Sequence, residues 1–121
     1  MNNAPTRVPT SAGMPSGRSA ALLIDFDNVT MNIRTDLGKE LKAMLDSEVF
    51  RGKVAVRRAY ADWRRYPQSV VPLTEASVDL IFAPAYGTSK KNATDLRMAV
   101  DAIELAFMRP EIGTFVLLTG D

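Results

Sequence analysis

Two aspartates and an asparagine fall within four residues at Asp25-Phe26-Asp27-Asn28, directly behind the apolar run Ala20-Ala21-Leu22-Leu23-Ile24. Where a buried strand ends the backbone must turn, and short polar side chains there project into a cleft. Their oxygens are hard donors of the kind that hold a divalent cation. Two more aspartates stand at comparable points: Asp95 near the start of a long helical pattern, and Asp121 behind the apolar run Phe115-Val116-Leu117-Leu118. The chain has no histidine and no cysteine, which removes the commonest general base, the commonest zinc ligand and every thiolate nucleophile. Catalysis in this sequence would rest on carboxylates, hydroxyls, lysine or tyrosine, and the donor chemistry points to Mg²⁺ or Mn²⁺.

Asp101 is six residues beyond Asp95, about 9 Å along a helix and about 240° around it. The two side chains cannot point the same way. Asp95 is therefore favoured as the direct ligand, with Asp101 supporting from a second shell or pairing with Arg97 at i, i+4. Structural roles compete with these. Asp27 or Asn28 could cap a helix, and Asp95 could belong to a capping arrangement with Asn92. Three carboxylates at one sheet edge, however, repel one another unless a cation or basic groups compensate, and that cost usually marks a site.

The elements that must deliver these residues follow from apolar patterning. Ala20 to Ile24 is a continuous apolar run suited to a strand buried on both faces. Asn32 to Asp46 carries Leu37, Leu41, Met44 and Leu45 at helical spacing, with Asp36 near its start. Lys53 to Ala61 is rich in Val and Tyr and reads as a second strand running into the polar loop Asp62-Trp63-Arg64-Arg65. Pro67 to Ala76 suggests a short helix, with Pro72 in its first turn or kinking it. Val78 to Phe82 is a third strand closed by Pro84 and Gly87, and Thr88 to Asn92 a loop. From Asn92 a helix runs to Met108, with Leu96, Ala99, Val100, Ile103, Ala106 and Phe107 as one apolar stripe and Pro110 beyond its end. Thr114 to Leu118 is a fourth strand. Alternating strands and helices predict an α/β fold, a three-layer α/β/α arrangement around a parallel sheet, in which ligands gather at the carboxyl ends of the strands. Asp25 and Asp121 both stand at such ends.

With 121 residues, 46% apolar and 24% charged, the chain suits one α/β core. Residues 1–19 are Pro-, Ser-, Thr- and Gly-rich without an apolar core of their own, so they are expected to be a disordered tail and not a secretory signal. No apolar run approaches the roughly 20 residues of a membrane-spanning helix, so no membrane partner is expected. The absence of cysteine is compatible with a reducing compartment, and a cytoplasmic location is the expectation. Net charge is only +1, but Arg51, Lys53, Arg57, Arg58, Arg64 and Arg65 face a single acid, Asp62, in their stretch, and Lys90 and Lys91 form a second basic pair. Basic patches beside clustered acids suit a polyanion held next to a metal; a solvated basic surface is the alternative.

Three motifs in order then acquire a family resemblance. Leu23-Ile24-Asp25-Phe26-Asp27-Asn28 resembles the opening Asp-x-x-Asn motif of NYN domains, which belong to the PIN-like ribonuclease superfamily. Lys90-Lys91-Asn92-Ala93-Thr94-Asp95, continued by Leu96 to Ala102 with Asp101, resembles their lysine-then-aspartate helix. Phe115 to Asp121 resembles the strand leading into their Gly-Asp-Ser-Asp-Phe signature. Thr94 stands where the family usually has valine, and the Ser-Asp-Phe continuation, the fifth strand and the last helices are not among these residues. Residues 20–121 are thus expected to form an incomplete domain of this type.

The resemblance implies a PIN-like fold and hydrolysis of an RNA phosphodiester, with Mg²⁺ or Mn²⁺ held by Asp25, Asp95 and Asp121. Asn28 would orient a water or a ligand, and Lys90 and Lys91 would contact phosphate. Arg64 and Arg65 lie at the same expected edge, and Trp63 could stack on an unpaired base of a single-stranded RNA, or simply pack. A homodimer is compatible with this picture. Two rivals stand beside it. Asp25-Phe26-Asp27-Asn28-Val29 also fits the opening of haloacid-dehalogenase-like phosphatases, with Asp25 as nucleophile, Asp27 as acid/base and Thr119 binding phosphate. The other is an inactive NYN module that binds RNA or protein.

Overall fold

The computed structural model describes residues 19–30, 37–47, 52–84 and 90–119. Its elements in chain order are β1 (Ser19–Asp25), α1 (Phe26–Thr30), α2 (Leu37–Asp46), β2 (Val54–Ala61), a single 3-10 turn (Trp63–Arg65), α3 (Pro67–Glu75), β3 (Asp79–Phe82), α4 (Lys90–Met108) and β4 (Ile112–Leu118). The four strands form one parallel sheet in the order β3-β2-β1-β4. The chain steps outward from β1 through β2 to β3, then crosses back to the far side of β1. Parallel crossovers are right-handed, so reversing direction across the sheet puts the connecting helix on the opposite face.

Side-chain alternation shows the consequence. Leu22, Ile24, Ala59 and Ala61 pack with Phe26, Leu41, Leu45, Leu73, Ala76 and Val78 under α2 and α3. Ala21, Leu23, Val56 and Tyr60 pack with Met98, Leu105 and Ile112 under α4. The result is the three-layer α/β/α arrangement expected from the element pattern. Central β1 is buried on both faces through Ala21, Leu22, Leu23 and Ile24, which is why its sequence is continuously apolar.

Pro67 occupies the first turn of α3 while Pro72 lies in its interior. The first turn needs no intrahelical N–H, so Pro67 fits there, whereas Pro72 removes one ladder bond. The helix ends by passing through Ser77 in the left-handed region, at φ 62°. Ser77 N–H donates to the Thr74 carbonyl and Val78 N–H to the Leu73 carbonyl, each at 3.0 Å. That pair of bonds satisfies two carbonyls a helix end would otherwise leave unpaired, and sets buried Val78 against buried Leu73.

Two expectations need correction. The helix expected from Asn92 begins at Lys90, so Asn92 and Asp95 both lie inside α4. The stripe Leu96, Ala99, Val100, Ile103, Ala106 and Phe107 does not face the sheet: Leu96 is 67% and Phe107 85% exposed. The side against the sheet carries Met98 and Leu105, with half-buried Ala102 between them. Both stripes have helical spacing, and spacing alone cannot tell which of two opposite faces packs. The expected tail lies outside the described residues except for Ser19, which opens β1. Asn32 to Asp36, including the expected start of α2, also lie outside them.

Candidate metal centre

Asp25 is the last residue of β1 and is 3% exposed. It follows Ala21 and Leu23 in the alternation of the strand, which directs it to the α4 face. Its register neighbours define where it sits: Tyr60 lies beside it on β2, and Ile24 just below it pairs with Leu118 on β4. Because the chain leaves β1 toward one side and returns to β4 on the other, the carboxyl ends of β1 and β4 flank the topological switch point of the sheet, where α/β folds open a crevice. The Asp25 Oδ1 accepts the Asn28 backbone N–H at 3.2 Å, so Asp25 itself caps α1, the role weighed above for its neighbours.

Asn28 reaches from α1 to the exit of β4. Its Nδ2 donates to the Thr119 carbonyl at 2.5 Å, bracing α1 against the exit of β4. This bond engages the amide nitrogen with the chain itself. Asp121, two residues past Thr119, lies outside the described residues.

Asp95 stands on the buried side of α4. Positions 95, 98, 102 and 105 follow the 3-4-3 spacing of one helix face, placing Asp95 one turn closer to the carboxyl rim than Met98 and on the same stripe as Leu105. The Asp95 Oδ1 is fully buried and accepts no hydrogen bond. An unpaired buried acceptor costs about 1–3 kcal/mol and more when charged. A hard cation is a partner that such an oxygen fits.

Asp101, lower on α4, has partners of its own. Tyr60 Oη donates to its Oδ2 at 2.6 Å and Arg58 Nη1 lies 3.7 Å from the same oxygen. The Arg97 pairing weighed from sequence gives way to these because Asp101 turns toward the sheet, where Arg58 and Tyr60 project from β2. Burial first, and then the Asp101 carboxylate, push the Tyr60 phenol well above its ordinary pKa. Sequence reasoning passed over Tyr60, although Val56, Arg58 and Tyr60 alternate onto one face.

Asp27 is drawn the other way. Its Oδ1 accepts Tyr66 Oη at 2.5 Å and Arg65 Nη1 at 3.2 Å, and its Oδ2 accepts the Asp62 backbone N–H at 3.2 Å. Asp27 thereby anchors the turn after β2. Burial and then the Asp27 carboxylate raise the Tyr66 phenol. Trp63 packs its ring 5.0 Å from Phe26 and 6.2 Å from Tyr66 and donates Nε1–H to the Ile81 carbonyl at 3.0 Å. Its indole is engaged with the protein, so packing and not base stacking is the role these contacts give it. Arg64 grips Asp62 with two bonds, Nε to Oδ1 at 2.8 Å and Nη2 to Oδ2 at 2.7 Å, and its guanidinium centre lies 5.3 Å from the Phe82 ring. That fork, led by the side-chain bonds from Arg64, holds the half-buried Asp62 carboxyl below its ordinary pKa. Lys90 and Lys91 open α4.

These features, a parallel sheet in the order β3-β2-β1-β4 with Asp25 ending β1 and Asp95 near the start of α4, coincide with a family assignment: the profile of the NYN domain matches residues 19–121. The chain belongs to the NYN domain family. No curated protein and no solved structure matches it. NYN domains belong to the PIN-like nuclease superfamily, whose members generally use divalent metals, so the family supports a nuclease-type activity and places the phosphatase reading behind it. In this NYN domain Asp27, which that rival needs as a mobile acid/base, is pinned by three donors. Among the described residues no three acidic side chains converge as a metal-binding group; Asp25 and Asp95 are described, and Asp121 is not. Among them, too, no helix is long and apolar enough to cross a membrane.

Proposed function

We propose that this NYN domain hydrolyses phosphodiester bonds of single-stranded RNA with Mg²⁺ or Mn²⁺ held by Asp25, Asp95 and Asp121. The observation that carries the reading is the buried, unpartnered Oδ1 of Asp95 on the face of α4 that covers the rim where Asp25 ends β1. The donor set is all carboxylate, which matches a hard divalent cation. When bound, that cation supplies an acidified water and neutralises charge on the phosphoryl oxygens.

The chain's own residues position the reaction. Asp25 is fixed by its capping bond to Asn28, and Asn28 holds the β1 and β4 ends together across the crevice. Asp101 stays with Tyr60 and Arg58 and supports α4 from beneath. Lys90 and Lys91 at the start of α4, with Arg65 on the turn after β2, supply positive charge for phosphates along the rim. Arg65 is half-exposed beside Asp27.

The reading is tested by incubating the protein with end-labelled single-stranded RNA and Mn²⁺ beside its Asp25→Asn variant. Asparagine caps a helix as well as aspartate does, so the variant keeps α1 while losing a charged ligand. Mn²⁺-dependent cleavage by the wild type, reduced at least about a hundredfold in Asp25→Asn on the scale of removing a metal's charge stabilisation, is the expected result. Undiminished cleavage by the variant would reject the assignment.

A further inference from the structure

We propose that Phe82 and Arg64 form a stacking platform for one unpaired base of the RNA strand whose phosphate is held at the metal rim. The platform rests on the RNA reading above and adds a base-binding subsite to it.

Phe82 is the last residue of β3 and remains 47% exposed, whereas Ile81 and Leu80 before it are packed against the two cores. A single exposed aromatic ring is ordinary on a protein surface. What sets this one apart is how firmly its neighbour is held. The Arg64 guanidinium lies over the ring at 5.3 Å, and its Nε and Nη2 bonds to Asp62 fix its plane. The Asp62 backbone N–H is in turn held by Asp27, and Trp63 ties the same turn to the Ile81 carbonyl. The aromatic and guanidinium planes are thus arranged before any ligand arrives, which spares the ordering cost that weakens binding to mobile side chains.

The charge arithmetic decides what Arg64 does there. Its Nε and Nη2 are held by the Asp62 carboxylate, whose charge offsets its own. Its flat face still interacts with a π system. A nucleobase offers such a face whatever its identity, and stacking on aromatic or guanidinium planes is how proteins hold unpaired bases without reading sequence. Arg65 is different: only its Nη1 contacts Asp27, and its remaining donors suit phosphate.

The register gives the reach. Asp25 pairs with Tyr60 and Tyr60 with Ile81, so Phe82 stands one residue beyond the level of Asp25 and two strands away, about 10 Å across the sheet at the usual strand spacing. Phe82 follows Leu80 on the α3 face and Asp25 follows Leu23 on the α4 face. An RNA strand touching both crosses the rim obliquely over the end of β2, with its unstacked base against the Phe82 and Arg64 pair.

The test is fluorescence anisotropy of the full chain with a labelled oligouridine in EDTA, where binding is read without cleavage. Phe82→Leu, which keeps apolar bulk but loses the ring, is expected to weaken binding about tenfold, and Phe82→Trp to hold it within about twofold. Arg64→Gln is expected to weaken affinity while leaving the slope of log affinity against log salt unchanged, because no phosphate contact is lost; removal of a true phosphate contact lowers that slope by about 0.7 for a single strand. Wild-type affinity in Phe82→Leu, or a lowered salt slope in Arg64→Gln, overturns the platform while leaving the RNA reading in place. Failure of the wild type to bind the oligonucleotide overturns both.

Discussion

Asp95 puts a buried carboxylate oxygen on a helix face without a hydrogen bond, a local cost that folding alone gives no reason to keep. Replacing its charge should therefore relieve strain in the metal-free protein. Asp95→Asn is expected to unfold in EDTA at the wild-type midpoint or higher, by up to about 1–3 kcal/mol, while losing the stabilisation that Mn²⁺ gives the wild type, about 2.7 kcal/mol at a hundredfold excess over the dissociation constant. Paired thermal melts with and without Mn²⁺ check both halves. Tyr60 makes a second residue-scale prediction. Its phenol is raised in the folded state by burial and Asp101, so it holds its proton more tightly folded than unfolded. The corresponding stability is fully present below the ordinary tyrosine value of about 10 and is lost as pH rises above it. Tyr60→Phe should cost about 0.5–1.5 kcal/mol near neutrality through the lost hydrogen bond, yet flatten the alkaline decline, as denaturant titrations from neutral to strongly alkaline pH would show.

Helix α4 shows most clearly how an element can be legible in position and illegible in orientation. Its extent was readable to within two residues, because Pro110 and an apolar period of 3.6 leave little choice. Which face packs was not readable, since Leu96, Val100, Ile103 and Phe107 repeat as regularly as Met98, Ala102 and Leu105. Only the sheet, through Tyr60 and the apolar residues of β1 and β2, decides between them. Substitution tests the orientation: Phe107→Lys should shift stability by no more than about 0.5 kcal/mol, whereas Met98→Ala should cost about 2–5 kcal/mol, both measured by chemical denaturation. The end of α3 offers a stabilising counterpart. Ser77 adopts a positive φ that glycine adopts without strain, so Ser77→Gly should raise stability by about 1 kcal/mol. The short α1 was missed because Asn32 to Asp46 carried the stronger period, and five residues make too little pattern to detect.

At the scale of the whole molecule, the motifs at Asp25 and Asp95 were visible because short polar residues interrupt apolar segments. The order β3-β2-β1-β4 was not, because nothing local in a strand states which neighbour it takes. That order makes β1 and β4 adjacent at the point where the chain reverses direction, with Asn28 joining their ends. It also sends Asp27 and Trp63 to the opposite side, where they build the turn that carries Arg64 and Arg65. Spacing alone placed Asp27 beside Asp25 in a supporting role and could not show that its carboxylate would be drawn to the turn after β2. The central claim is that β1 and α4 together present one divalent-cation site. It is tested most directly by titrating the chain with Mn²⁺ and following free ion by its electron paramagnetic resonance signal. Saturable binding by the wild type, weakened at least about tenfold by Asp25→Asn and by Asp95→Asn alike, is the predicted result, since each removes one charged oxygen ligand. Wild-type affinity in either variant would contradict it.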